Sequence, residues 1–117
     1  MISMNGVLGY GYVVSRKFIP DKYKNIAGIH INKINGKIFI DIEPTCDTCP
    51  NAPFFIGREI EHVNSAVGHL ESSTLKEEME EEEKNMFAIQ SAYEQVIGRK
   101  PANSPRWVMF TQFNSLS

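Results

Sequence analysis

Several features that assign a chain to a special class of protein are missing from these 117 residues. No apolar run approaches the roughly 20 residues that a membrane-spanning helix needs. The N-terminal residues lack the basic segment and the apolar core of a signal peptide, so we expect a cytoplasmic protein. A hydrophobic content of 42% is too high for a disordered protein. We therefore expect a single soluble domain over residues 1–117, large enough to fold without disulfide bonds.

Charge of one sign does not dominate the chain, because the net charge at pH 7 is only −2. This balance is too weak for a protein dedicated to binding duplex nucleic acid. The distribution is uneven, since residues 1–40 carry a net charge of +5, residues 41–98 carry −10 and residues 99–117 carry +3. The folded protein should therefore have basic and acidic faces, which suits an anionic ligand or self-association.

Two stretches with alternating apolar residues predict β-strands. Residues 6–15 place Tyr10 and Tyr12 on one face and two glycines on the other. Residues 26–43 contain Asn35-Gly36 between two alternating runs, which predicts a hairpin with a type I′ turn. In the register that this turn sets, the isoleucines share one face.

Helical periodicity predicts two helices after the hairpin. Apolar residues at spacings of three and four from Ile56 to Leu70 are typical of an amphipathic helix. A glutamate-rich helix over 74–97 begins with a capping-box sequence and ends at Gly98. Residues 106–113 predict a last strand. The order β-β-β-α-α-β implies an α+β fold with a single antiparallel sheet and two helices packed on one face.

The two cysteines, Cys46 and Cys49, lie in a proline-rich loop and are candidate metal ligands. With His62 and His69 they give the spacing C-x2-C-x12-H-x6-H. Zinc prefers a tetrahedron of ligands, and two histidines two helical turns apart do not fit one ion easily. We therefore expect two reduced thiols and no cofactor, and zinc at Cys46 and Cys49 stays open as an alternative.

Motifs that would name an enzyme are absent from the sequence. There is no Walker-type phosphate loop and no G-x-G-x-x-G fingerprint. The predicted hairpin places His30 opposite Asp41, a base with an orienting group, but no nucleophile accompanies them in the pattern. A cross-strand surface pair is the simpler interpretation, so we expect a binding protein rather than an enzyme. A small hydrolase that uses His30 or His69 is the least favoured alternative.

A basic segment next to the only tryptophan is the best candidate for a binding site. Arginine pairs with phosphate through a fork of N–H groups, and an aromatic face stacks on a base, so this segment favours a small phosphate-bearing ligand such as a nucleotide. The tyrosines of the first strand add stacking surface if the first and last strands are neighbours. The competing interpretation is that the tryptophan packs in the core and the cations follow the end of a helix. The candidate ligand-binding residues are Arg99, Lys100, Arg106, Trp107, Tyr12, Tyr10 and His69.

The order of these features resembles that of small phage-encoded proteins that sequester the cyclic nucleotide signals of bacterial immunity, the Thoeris inhibitor type. The resemblance implies a non-enzymatic, oligomeric nucleotide sponge that counters a host defence pathway. It is a resemblance of plan without a diagnostic motif, so it transfers no binding residue to this chain. The shared features are the Gly-Tyr-Gly-Tyr strand, the isoleucine-rich Asn-Gly hairpin, Val67-Gly68-His69, the glutamate-rich helix and the Arg106-Trp107 strand.

These observations together predict a protein that captures a small phosphate-bearing ligand and forms a homo-oligomer, with no duplex nucleic acid and no membrane as partner. The alternative is a protein-binding inhibitor or adaptor that acts through the acidic helix 74–97, with or without zinc at Cys46 and Cys49. In that case the run of glutamates would bind a basic partner.

Overall fold

The structure is a computed structural model of the chain and describes residues 2–64 and 72–115. Five strands and three helices, the first of them a single turn, make up the described part of the fold. They follow one another as β1 (Ile2–Val14), a 3-10 turn (Arg16–Phe18), α1 (Asp21–Lys24), β2 (Gly28–Lys33), β3 (Gly36–Pro44), β4 (Phe54–Asn64), α2 (Ser72–Glu83), α3 (Met86–Ile97) and β5 (Arg106–Ser115).

All five strands form one antiparallel sheet in the order β2-β3-β4-β1-β5. The first and last strands of the chain are neighbours, with Tyr10 opposite Trp107. Helices α2 and α3 pack against this sheet, so the predicted α+β class with one antiparallel sheet and two helices is confirmed. Among the described residues, no helix combines the length and the apolar character needed to cross a membrane.

The predicted helix from Ile56 to Leu70 is wrong over its described part. Residues Phe54–Asn64 form strand β4, which lies between β3 and β1, and residues 65–71 lie outside the described residues. Phe55 and Ile56 point to opposite sides of the strand and are both fully buried. A strand buried on both faces has a continuous apolar run, and residues three and four apart within it also match a helical pattern. Pairing with two neighbouring strands stabilises this segment as a strand rather than as a helix.

The hairpin of β2 and β3 forms in the predicted segment, but its register differs by two residues from the predicted one. Lys33 pairs with Gly36, so Ile34 and Asn35 form the turn. The positive φ of 135° occurs at Gly36, the first residue after the turn. The predicted type I′ turn is wrong, because that turn needs positive φ at both central residues and Asn35 does not adopt it. A shift of two residues keeps each side chain on its predicted face, so the isoleucines still point together into the core.

The core lies between the sheet and the helices and is built mainly from the sheet's aliphatic and aromatic side chains. Ile40, Ile56 and Phe54 of the sheet meet Ile89 of α3, and none of the four is more than 1% exposed. Burial of one such side chain contributes about 1.5–3 kcal/mol to folding. This layer fixes α3 against the sheet and thereby positions the loop that follows α3.

Glycines on the opposite face of the sheet make room for one aromatic ring. The ring of Phe55 lies where Gly9 and Gly57 leave the backbone bare, and a Cβ at either glycine would come closer than 3.0 Å to a ring carbon. Phe110 of β5 packs beside it, with ring centroids 5.3 Å apart. The bare backbone that the sequence predicts on this face is therefore filled by a side chain of the neighbouring strand.

The predicted helix over 74–97 is two helices, because the chain turns at Lys84 and Asn85. Asn85 is buried, donates to the carboxylate of Glu82 (3.0 Å) and accepts from the ammonium of Lys33 on β2 (2.8 Å). These contacts tie the junction to the sheet. The apolar stripe is interrupted where Glu80 to Glu83 run together, but Met79 and Met86 on either side keep a helical spacing, so the pattern predicts one helix.

Candidate functional site

The predicted ligand-binding segment begins where α3 ends. Gly98 has a φ of 88°, and its N–H donates to the carbonyl of Glu94 at 2.8 Å, which ends the helix as predicted. Arg99 and Lys100 follow and are exposed. The guanidinium of Arg99 lies 5.6 Å from the ring centroid of Phe18, a cation–π contact that connects the loop to the 3-10 turn.

A cleft of about 300 Å³ opens between this loop, the end of β1 and α3. Tyr12 and Tyr93 line it with aromatic rings whose centroids are 4.8 Å apart. The hydroxyl of Tyr12 donates to the backbone carbonyl of Asn103 at 2.8 Å and holds the loop against β1. Burial, more than any neighbouring group, raises the pKa of Tyr12, so this hydroxyl keeps its proton at neutral pH. Arg99 and Phe18 also line this opening, which we call the Arg99 cleft.

A second cleft of about 320 Å³, the Arg106 cleft, adjoins the first and shares Tyr12 and Asn103 with it. Arg106 and Ser104 line it at the start of β5. None of the described residues that line the two clefts is a histidine, cysteine, aspartate or glutamate. The lining therefore offers cations, hydroxyls and aromatic rings, which suit an anion joined to a flat ring, and no acid–base pair.

Trp107 and Tyr10 lie on the other side of the sheet from Arg106. Side chains alternate along a strand, and Arg106 stands opposite Gly11 while Trp107 stands opposite Tyr10. The rings of Trp107 and Tyr10 are 4.9 Å apart, and the indole N–H donates to the carboxylate of Glu83 on α2 at 3.4 Å. Burial, followed by the charge of Glu83, raises the pKa of Tyr10. These two aromatic residues therefore pack against α2, as the competing interpretation predicts.

The remaining predicted ligand residues are not brought together with the two arginines. Lys100 is exposed and lines neither cleft, although it adjoins Arg99 in the chain. His69 lies outside the described residues. The structure thus keeps three of the predicted residues around two adjoining clefts, namely Arg99, Arg106 and Tyr12.

The predicted pair of His30 and Asp41 does not form. His30 stands opposite Phe39, and the two rings contact edge to face with centroids 5.1 Å apart. The two-residue shift in the hairpin register is the cause. The form of the hydrolase alternative that uses His30 therefore lacks the orienting group predicted for it across the strands.

Cys46 and Cys49 form a disulfide bond, so the prediction of two reduced thiols is wrong. The loop places their Cα atoms 5.4 Å apart, a separation within the usual range for a disulfide. Zinc is bound by thiolates, and the side chains of His62 and His69 in the predicted spacing lie outside those that the structure describes, so zinc at Cys46 and Cys49 stays a prediction. Within residues 2–64 and 72–115, no group of three or more histidine, cysteine, aspartate or glutamate side chains is placed to hold a metal ion.

The acidic helix divides its glutamates between the sheet and the solvent. Glu82 faces the sheet, where the guanidinium of Arg58 donates to both of its carboxylate oxygens at 3.0 and 3.3 Å. Glu81 forms a 2.7 Å ion pair with Lys84, and both side chains are largely exposed. Glu77, Glu78 and Glu80 are also exposed, and Glu77 and Glu78 line a cleft of about 490 Å³ with Glu59 and Ile60 of β4. The exposed side of α2 is therefore an acidic surface.

One surface was not predicted from the sequence at all. A cleft of about 660 Å³ lies at the tip of the β2–β3 hairpin and extends to the start of α3. Ile34 in the turn and Phe87 on α3 line it together with Lys33, Lys37 and Lys84. An isoleucine inside a turn segment is the sequence signal for this surface, because turns favour polar residues. We call it the hairpin-tip cleft.

Comparisons with protein families, with curated proteins and with solved structures found no match to this chain.

Proposed function

We propose that this protein captures a small phosphate-bearing ligand of the nucleotide class in the adjoining Arg99 and Arg106 clefts. The observation that carries the proposal is the exposed Arg99 beside the rings of Tyr12, Tyr93 and Phe18 in one cleft, with a second exposed arginine, Arg106, in the adjoining cleft. A nucleotide combines negative charge with a flat ring system, and such a lining can hold both.

The two arginines are assigned to the phosphate. A guanidinium presents N–H donors in a plane that matches phosphate oxygens, and its charge does not depend on pH in the physiological range. Ser104, which lines the Arg106 cleft, adds a hydroxyl donor. The aromatic residues of the Arg99 cleft are assigned to the base, since aromatic rings stack on any base. Phe18 is 45% exposed and is the most accessible of these rings.

The size of the site fits one small molecule. Small-molecule sites generally have volumes of about 300–1,000 Å³. The Arg99 cleft, with about 300 Å³, matches the lower end of that range, and the adjoining Arg106 cleft extends it. We assign the protein to binding rather than catalysis, because the lining contains cations and rings in place of paired acids and bases.

The resemblance to Thoeris-type inhibitors extends the proposal to a biological role. In that interpretation the ligand is a signalling nucleotide, the protein acts as an oligomer in the cytoplasm of a host cell, and sequestration of the signal blocks a defence pathway. Sequestration needs tight binding and slow release without any chemical step, which agrees with a site built from arginines and aromatic rings.

The proposal is tested by isothermal titration calorimetry with a panel of linear and cyclic nucleotides and with inorganic phosphate. Arg99→Ala and Arg106→Ala should each weaken the binding of the best nucleotide by about tenfold or more, because each removes a charge-assisted contact. The control is Lys22→Ala, which removes an exposed cation on α1 and should leave binding unchanged. Binding that is equally strong in all three variants would remove both clefts from the site.

Trp107 distinguishes this arrangement from the one predicted by sequence alone. Its ring packs on Tyr10 and its N–H is engaged by Glu83, so Trp107→Phe should lower stability and leave nucleotide affinity unchanged. A loss of affinity in folded Trp107→Phe, with Arg99→Ala unaffected, would move the site to the Tyr10–Trp107 pair beside α2.

A further inference from the structure

Two of the most exposed apolar side chains in the described part of the chain line the hairpin-tip cleft. Ile34 is fully exposed and Phe87 is 74% exposed, and both line this cleft. Apolar surface left in water costs roughly 25 cal/mol per Å² relative to its burial. A contiguous apolar patch rimmed by polar residues generally marks an interaction surface.

The rim of the hairpin-tip cleft is cationic. Lys33, Lys37 and Lys84 line it with the apolar pair, Lys84 being ion-paired at 2.7 Å with Glu81 of the same copy, and no aspartate or glutamate is among the described residues that line the cleft. The ammonium of Lys33 is held in place by Asn85 at 2.8 Å, so part of this rim has a fixed position. A partner that fits the cleft should therefore present carboxylates around apolar or aliphatic groups.

The outer side of α2 has that complementary chemistry. Glu77, Glu78 and Glu80 are exposed on it, and each carries its carboxylate on an aliphatic stem. The helix ends at Glu83, directly before Lys84, which is itself part of the cleft. The acidic surface and the cationic cleft are therefore neighbours on the same molecule. Two adjacent complementary surfaces are what a two-fold dimer needs, because each copy then offers both halves of the contact.

We propose that the hairpin-tip cleft binds the glutamate-rich side of α2 from a second copy of this chain, so that two identical contacts form a symmetric dimer. Ile34 and Phe87 supply the apolar centre of each contact, and the lysines and glutamates fix its orientation. This assembly uses neither the Arg99 cleft nor the Arg106 cleft, so the dimer proposal is independent of the proposal of ligand capture.

The test is a charge-swap experiment on the full chain, read out by sedimentation velocity. One variant reverses the cleft (Lys37→Glu with Lys84→Glu), and a second reverses the helix (Glu77→Lys with Glu80→Lys). The matched control, Lys17→Glu with Lys22→Glu, changes the net charge as much as the cleft variant does but alters exposed cations outside the cleft. Urea unfolding of each variant verifies that it is folded.

We expect the wild type and the control to form dimers that weaken as salt is raised to about 1 M, where the Debye length is roughly 3 Å. Each reversed variant alone should dimerise about tenfold or more weakly, because like charges then face each other in both contacts. An equimolar mixture of the two reversed variants should regain the dimer, since both contacts of the mixed dimer again pair opposite charges.

Three results would overturn the proposal. The first is a wild type that stays monomeric at its highest soluble concentration. The second is a dimer that both reversed variants retain. The third is a mixture of folded reversed variants that stays monomeric, which would show that α2 is not the occupant of the cleft.

Discussion

Glu82→Gln provides the sharpest test of how the helices are held on the sheet. The carboxylate of Glu82 accepts N–H groups from Arg58 at 3.0 and 3.3 Å and one from Asn85 at 3.0 Å. Arg58 donates a further hydrogen bond to the backbone carbonyl of Phe39 at 2.9 Å. This cluster joins α2, the helix junction and two strands, so its loss should loosen the helices from the sheet.

The expected cost follows from the partial burial of the pair. The side chains of Arg58 and Glu82 are 29% and 15% exposed. Breaking a fully buried ion pair costs about 3–5 kcal/mol, and one charge-assisted hydrogen bond contributes about 1.5–3 kcal/mol. Glutamine keeps the shape and one acceptor, and solvent screens part of the remaining charge. We therefore expect Glu82→Gln to lower the free energy of unfolding by about 2 kcal/mol.

The assay is urea unfolding, with Glu81→Gln as the matched control. An m value of about 2 kcal/mol/M converts the loss at Glu82 into a fall of about 1 M in the urea midpoint. Glu81 is the neighbouring residue of the same helix, and its ion pair with Lys84 is 71% exposed on both sides. Its variant should unfold at the wild-type midpoint, because exposed pairs contribute little. Equal shifts in the two variants would refute the role assigned to Glu82.

Three further predictions concern the glycines, the buried tyrosine and the disulfide. Gly57→Ala should lower the free energy of unfolding by about 3 kcal/mol, because its Cβ would meet the backbone at Tyr10 and the ring of Phe55. Gly36→Ala should lower it by about 1 kcal/mol, because Gly36 has open space around it but a φ of 135°. Thermal unfolding of both variants checks this order. The folded-state pKa of Tyr10 is raised, so its contribution to stability is complete below pH about 10 and is lost as the pH rises through the folded-state pKa. Urea midpoints across that range should therefore fall more steeply for the wild type than for Tyr10→Phe, and parallel slopes would contradict this. Replacing Cys46 and Cys49 by serine opens a short ring and should lower stability by about 2 kcal/mol or less without changing the far-UV circular dichroism spectrum.

Much of the fold follows from local patterns that the tertiary structure leaves intact. The alternation around Tyr10 and Tyr12 and the run after Arg106 predict β1 and β5, and both strands form. The isoleucine face of the hairpin survives a wrong register because a shift of two residues preserves side-chain direction. The α+β class is therefore predictable even though one of its elements is not.

Strand β4 and the helix break depend on partners that are distant in the chain. Phe54–Asn64 forms a strand because β1 and β3 flank it. The apolar residues of a strand buried on both faces can have helical spacing, so this spacing does not distinguish the strand from a helix. The break at Asn85 depends on Lys33, a residue more than fifty positions away. Propensity and periodicity report only on neighbours along the chain, so they do not contain this information.

The sequence predicts part of the candidate site, and one wrong prediction about the site was avoidable. Gly98 predicts the end of α3 correctly, and Tyr12 and Arg99 line one cleft as the basic-aromatic hypothesis requires. Arg106 and Trp107 are consecutive residues of a predicted strand, so alternation alone already places them on opposite faces. The part that could not be predicted is the contact of the loop with β1, which depends on the hydrogen bond from Tyr12 to Asn103.

Native mass spectrometry tests the central claim, ligand capture by Arg99 and Arg106, most directly. The wild type and the double variant Arg99→Ala with Arg106→Ala are expressed in the same cells, exposed to the same small-molecule extract and measured without other additions. We expect the wild type to retain a discrete phosphate-bearing mass of nucleotide size, which the folded double variant does not retain. A wild type that retains no such mass, or a variant that retains it equally, would rule out ligand capture by these two arginines.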